Sequence, residues 1–342
     1  MLPQRQLGTT GLSISPIAFG CGNVGGLFTT EGRADEQAEV LQRAWDLGIT
    51  WFDTAPQYGN GRSERNLGAA LRGAGLIDEA VVSTKVRVTE DDLRSDMRSA
   101  IMRSAEASLE RLGMDRVGVF QLHNRVTSVR GTESDALSME DVLGENGVLE
   151  TLERLRSEGT CRAIGMTTLG ETDALRIIVQ GAGFQTAQVY YNLLNPTAAD
   201  RRPDELPVQD YGQLLDHMAE RKMGVLAIRV MAAGALADKP PKTPRGGPAL
   251  SPGSEFSEDV ERATALIPLA HEYETTVSRA ALRFVLHDER VTGVLIGVSN
   301  VGQVEEALEA VEEGPLHGDF FKAWRTLLES DFGRRSEEKD PR

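Results

Sequence analysis

Residues 49–85 read ITWFDTAPQYGNGRSERNLGAALRGAGLIDEAVVSTK. The stretch opens on an apolar run, Ile49 to Asp53, passes through a Gly-containing link into an amphipathic segment, Ser63 to Leu71, and ends on a second apolar run, Val81 to Lys85. Strand, helix, strand is the unit from which a parallel sheet with crossover helices is built. Working outward, the same unit recurs. Strand-length runs fall at Pro16 to Cys21, Ile49 to Asp53, Val81 to Lys85, Val117 to His123, Cys161 to Met166, Thr186 to Tyr191, Gly224 to Val230 and Val291 to Gly297. Helical patterns fall between them, at Asp35 to Leu47, Ser63 to Leu71, Asp92 to Leu112, Val148 to Ser157, Thr172 to Gln180, Val208 to Arg221 and Val277 to Leu286. No G-x-G-x-x-G follows the first strand, so eight repeats point to a closed (β/α)₈ TIM barrel and not to an open doubly wound sheet.

Three segments fall outside the repeat. Gln6 to Ser15 reads as an N-terminal β-hairpin covering the N-terminal mouth of the barrel. Ala237 to Ser257, dense in Pro and Gly, reads as a mobile cover on the C-terminal face, where barrel enzymes build their sites. The expected organisation is one barrel domain over 1–335, with a C-terminal helical extension, and a disordered charged tail over 336–342.

The bulk numbers narrow the class. Lys and Arg total 37 against 52 for Asp and Glu, a net charge of −15, which repels a phosphate backbone or an anionic lipid surface and argues against nucleic-acid and membrane partners. Cys21 and Cys161, the two cysteines, give no disulfide framework and suit a reducing compartment. With no secretory leader pattern and no run of roughly 18 apolar residues, a cytoplasmic protein is expected. The five histidines, at 123, 217, 271, 287 and 317, show no metal-ligand spacing.

Four ionisable residues, Asp53, Tyr58, Lys85 and His123, fall at or just past the C-terminal ends of strands two, three and four. Adjacent strands bring such residues around one pocket. Lys85 can lower the phenol pKa of Tyr58 from its usual value near 10, Asp53 can pair with and hold Lys85, and His123 can orient a carbonyl oxygen. The set suits a carbonyl that gains a proton and a hydride; no activated Ser or Cys accompanies it to suit hydrolysis.

The segment FDTAPQYGNGRSERNLGAAL, at 52–71, resembles the F-D-T-A-x-x-Y-G-x-G-x-S-E-x-x-L-G motif of aldo-keto reductases, VVSTKV and VFQLHN resemble that family's T-K and Q-L-H strand ends, and RQLGTTGLSISPIAFGCGNVGG its N-terminal entry. The resemblance runs from Leu7 to Leu308. It implies an NAD(P)-dependent oxidoreductase exchanging hydride between a nicotinamide nucleotide and an aldehyde, ketone or sugar hemiacetal, as in carbonyl reduction or aldose dehydrogenation. It makes Tyr58 the proton donor, Lys85 its pKa-lowering partner, Asp53 the partner of Lys85 and His123 the orienting group. On the cofactor side it places Thr167 and Thr168 where the family has Ser-Asn, and it adds Gln188, Gly22, Arg229, Gly297, Ser299, Gln303 and Glu306. Gly22, where many relatives carry an aromatic, implies a more open pocket wall. Pocket walls are also expected from Asn124, Arg125 and the Leu193 to Pro207 loop. The resemblance ranks NADP(H) first and NAD(H) second, because the basic residues that clamp a 2′-phosphate in many relatives are absent around Ser299 and Gln303 and Ala307 replaces a frequent Asn. The partner implied is a small carbonyl or sugar. The alternative reading is a nucleotide-binding regulatory or redox-sensor subunit resembling potassium-channel β subunits.

Overall fold

Trp51–Asp53 and Val81–Val86 pair as parallel strands with Asp53 opposite Ser83, and six further strands extend the ladder until it closes on itself. In the computed structural model, which describes residues 2–131, 135–181, 183–203, 206–245 and 255–334, the barrel strands are β1 (Ile17–Gly20), β2 (Trp51–Asp53), β3 (Val81–Val86), β4 (Val117–Leu122), β5 (Cys161–Thr167), β6 (Thr186–Tyr190), β7 (Gly224–Ile228) and β8 (Gly293–Gly297). They follow one another around the barrel in chain order, and every neighbouring pair is parallel.

Each strand is followed by a helix of the outer ring: α1 (Ala34–Asp46), α2 (Arg62–Gly73), α3 (Met97–Leu112), α4 (Val148–Ser157), α5 (Thr172–Gly181), α6 (Leu214–Glu220), α7 (Val277–His287) and α8 (Val301–Glu312). The expected C-terminal extension is α9 (Gly318–Glu329), tied to the body where Trp324 Nε1 donates to the Leu193 carbonyl at 3.0 Å. Among the described residues no helix is long and apolar enough to cross a membrane.

Side chains alternate across each strand. Phe52 and Val82 face outward into the main apolar core beneath the helices. Trp51, Val81, Val119, Ala163 and Leu226 face inward and form a separate apolar floor with Leu7, Leu12 and Ile14. The last three come from the hairpin, whose strands Arg5–Gln6 and Ser13–Ile14 pair antiparallel, so the hairpin plugs the N-terminal mouth as expected. Gly8 in its turn sits at φ +51°, and a Cβ there would stand 2.3 Å from the backbone nitrogen of Gly224. Only glycine permits that approach.

Two helices differ from expectation. The Asp92 to Leu112 pattern breaks into a short helix, Glu90–Arg94, and α3, because Thr89 caps the first in a capping box and Asp96 caps the second by accepting from Ser99 N. The Val208 to Arg221 pattern yields only α6: Gly212 and Gln213 take left-handed conformations (φ +57° and +56°), and the Gln209 carbonyl accepts from Asn195 and Thr197. The expected cover over 237–257 falls partly outside the described residues, at 246–254, as does the tail over 336–342.

Candidate active site

Inward alternation places Asp53, Ser83, Lys85 and Gln121 in one layer above the apolar floor, with Asp53 opposite Ser83 on β3 and Lys85 opposite Gln121 on β4. Lys85, wholly buried, donates from Nζ to Asp53 Oδ1 in a close ion pair, to the Thr54 carbonyl at 2.8 Å and to the Tyr58 hydroxyl at 3.4 Å. Asp53 Oδ2 accepts from Ser83 Oγ at 2.7 Å, Gln188 Nε2 at 2.7 Å and Gln121 Nε2 at 3.4 Å. Both oxygens of the carboxylate therefore meet donors, as a buried ion pair requires.

Tyr58 lies on the loop after β2. Thr54 and Ser63 hydroxyls meet at 2.7 Å, Ser63 donates to the Cys21 carbonyl at 2.8 Å, and Glu64, fully buried on α2, accepts from Thr84 at 2.6 Å and Arg111 at 2.6 Å. The S-E pair of the motif thus fastens both ends of the loop, and the turn after Tyr58 runs through three left-handed residues, Gly59, Asn60 and Gly61. Rigid second-layer contacts of this kind hold a reacting group to a fraction of an ångström.

His123 follows β4, its ring perpendicular to that of Tyr58 with centroids 5.9 Å apart and Nδ1 3.5 Å from Gln57 Oε1. Burial, reinforced by the positive charges of Lys85, Arg87 and Arg229, holds its pKa well below 6.5, so the ring is neutral at neutral pH. For Lys85, burial works against the charge but Asp53 and Tyr58 outweigh it, and the ammonium is held above its ordinary value. Tyr58 departs from expectation. Burial pushes the phenol up, Lys85 and Arg229 pull it down, Asp53 pushes it up again, and the net direction is upward. Lys85 moderates a rise; it does not produce a phenolate near neutrality.

Tyr58 and His123 open onto a cavity of about 590 Å³ that extends from the ends of β1, β2 and β4 to the start of α8. Its wall includes Gly22, Asp53, Thr167, Gln188, Arg229, Gly297, Gln303 and Glu306. Two expected cofactor residues are not in the wall. The Thr168 hydroxyl turns to the Gln188 carbonyl at 2.9 Å, and Ser299 donates to Gln303 Oε1 from both its backbone nitrogen (2.8 Å) and its hydroxyl (2.9 Å). Asn124 is likewise internal, bridging Val88 and Asp135, and among the described residues neither Arg125 nor the 193–207 loop lines this cavity. Of the Pro-rich segment, Ala237, Asp238, Lys239 and Arg245 do line it.

The wall also holds groups that sequence reasoning passed over. Lys239, Arg245 and Arg279 bring three cations to it from outside the strand-eight motif, and Arg279 is itself held by Glu309 of α8 and Glu313 just past its end. The Ser278 hydroxyl stands between Asp238 Oδ2 (2.9 Å) and Glu306 Oε1 (3.0 Å), joining the loop after β7 to α7 and α8. Within that loop Arg229, Ala232, Ala233 and Gly234 all have φ between +43° and +99°. Left-handed backbone at non-glycine residues costs about 1–2 kcal/mol each and collects at binding sites.

A nicotinamide dinucleotide fits these residues. At one end Thr167 Oγ1 and Gln188 Oε1 lie 3.4 Å apart on the wall, a hydroxyl and an amide suited to a carboxamide. At the other, α8 presents its Asn300-capped N-terminus beside Gly297, and Lys239 and Arg245 line the same cavity. At Gly22 an added Cβ would stand 3.2 Å from the Tyr58 ring, so glycine leaves the face of the phenol clear.

Known proteins resemble this chain in sequence and fold. D-threo-aldose 1-dehydrogenase of a Pseudomonas species is 32% identical over 87% of this chain and 90% of its own length, and L-galactose dehydrogenase of Arabidopsis thaliana is 28% identical over 90% and 88%. An aldo-keto reductase from Klebsiella pneumoniae, solved in complex with NADPH, superposes with a TM-score of 0.69 at 19% identity, covering 96% of each chain. The model of the aldo/keto reductase family matches residues 16–329, which span the whole barrel and α9, and with it the chain belongs to the aldo/keto reductase family.

Proposed function

We propose that this oxidoreductase interconverts an alcohol or sugar hemiacetal with its carbonyl form, with Tyr58 as the proton donor and acceptor. The observation that carries the proposal is the buried line from Asp53 through Lys85 to a Tyr58 hydroxyl on the cavity wall. A bound nicotinamide supplies or takes up the hydride. The chain's own part is the proton and the oxygen that carries it. Neutral His123 has no proton to release at neutral pH but can donate a hydrogen bond to a substrate oxygen. Tyr58, whose pKa is raised, stays protonated until an oxygen gains enough negative charge to take its proton. In the oxidative direction Tyr58 first gives up its own proton to solvent, and the resulting phenolate, stabilised by the Lys85 ammonium 3.4 Å away, takes the proton of the alcohol as the carbon gives up its hydride.

NADP(H) is the cofactor favoured by the family and by the cations of the cavity wall, with NAD(H) second; Thr167, Gln188 and Gly297 are the residues we assign to it. The identity shared with aldose and galactose dehydrogenases favours a sugar hemiacetal as substrate. Free, buried Cys21 and Cys161, the latter's thiol pushed up to about 11 by burial, suit a cytoplasmic setting. The test is absorbance of the reduced nicotinamide during incubation with aldoses, aldehydes and ketones. Turnover with at least one aldose or carbonyl class is expected, and no nucleotide-dependent turnover across the panel would refute the proposal.

A further inference from the structure

Beneath Asp53 a hydrogen-bonded chain runs down into the apolar floor of the barrel. The Trp51 ring packs among Leu7, Val119, Ala163 and Leu226, yet its Nε1–H donates to Ser83 Oγ at 2.8 Å, and Ser83 Oγ donates to Asp53 Oδ2 at 2.7 Å. All three residues are buried. The sense of the chain is fixed by valence: an indole nitrogen can only donate and a carboxylate only accept, so the single hydroxyl proton of Ser83 points at Asp53.

We propose that Trp51 and Ser83 are positioning residues that tune proton transfer by Tyr58, holding Asp53 so that one oxygen faces Lys85 while part of its charge is drawn to the other. The inference rests on the reading of Tyr58 as proton donor and acceptor. The groups that face Tyr58 are Lys85 from β3, Asp53 from β2, Arg229 after β7 and the neutral His123 ring after β4. Cys21, after β1, feels both Asp53 and Lys85. Among these Asp53 alone carries negative charge and pushes the phenol up. A donor on its far oxygen blunts that push and leaves more of the Lys85 ammonium to Tyr58. The indole N–H, bonded to the Ser83 oxygen, polarises the hydroxyl and strengthens its donation.

The experiment measures the pH profile of kcat and KM in the native chain, Ser83→Ala and Trp51→Phe. It also follows the indole N–H resonance of Trp51 by NMR across the same pH range in the native chain, assigned by its loss in Trp51→Phe. With Ser83→Ala the pKa governing kcat is expected to rise by about one unit, the order of one hydrogen bond to a charged group, with KM little changed. Trp51→Phe is expected to move it the same way by less, and the native indole resonance to titrate with the pKa of kcat. An unmoved profile in folded Ser83→Ala, or an indole resonance flat through that range, overturns the proposal; if Ser83→Ala does not fold, the native titration decides alone. An active Tyr58→Phe would remove the underlying reading, whereas an inactive Tyr58→Phe with an unmoved Ser83→Ala profile would remove only the positioning role.

Discussion

Replacing Lys85 by Met keeps the length and bulk of the side chain and removes its charge, leaving Asp53 buried without a cation. Breaking a buried pair from one side costs about 3–5 kcal/mol. Three donors, Ser83, Gln188 and Gln121, remain on Asp53, which places the cost near the lower end, about 3 kcal/mol. For a chain of 342 residues, with an unfolding entropy of roughly 2.1 cal/mol/K per residue, that corresponds to a Tm lower by about 4 °C. The double variant Lys85→Met with Asp53→Asn removes both charges and is expected to recover more than half of the loss. Thermal unfolding of the native chain and of the two variants reads these quantities. A single variant as stable as the native chain, or a double variant no better than the single, would refute the claim that the pair is a buried, mutually dependent charge set.

Further outcomes follow from the same geometry. The folded state holds His123 neutral while the unfolded chain protonates it near pH 6.5, so the unfolded state binds more protons below that pH and stability falls on acidification, by at most about 1.4 kcal/mol per pH unit. His123→Asn should flatten that slope in denaturant titrations between pH 6.5 and 5, and a slope as steep as before would show that other groups cause it. Gly22→Ala brings a Cβ to 3.2 Å from the Tyr58 ring, so the ring must yield by a few tenths of an ångström; kcat is expected to fall about tenfold with stability unchanged, and an unaltered kcat would mean that the ring's position is not critical.

Much of the barrel was legible because its strands are short apolar runs separated by capped amphipathic stretches. The alternation in VVSTK also put Ser83 on the same face as Lys85, a signal that an inward-face reading of β3 could have used to find the support of Asp53. What escaped was set by tertiary contact. Residues 208–213 carry an apolar spacing that suits a helix, yet the 195–197 loop captures the Gln209 carbonyl and Gly212 and Gln213 turn left-handed. Lys239, Arg245 and Arg279 reach the cavity from segments distant in sequence, and Thr168 and Ser299 turn to the backbone or to Gln303 and away from it. The direction of the Tyr58 shift depends on burial, which a motif does not reveal: adjacency to Lys85 is readable from strand order, the desolvation that outweighs it is not.

The central claim is that the Tyr58 hydroxyl carries the proton, and it is tested most directly by Tyr58→Phe, with nucleotide affinity and the rate of hydride transfer in a single turnover measured on the same sample. The account expects affinity within about threefold of the native chain and a transfer rate lower by about 10²–10⁴, the contribution of general acid–base catalysis. A variant that binds nucleotide and transfers hydride within tenfold of the native rate would contradict it.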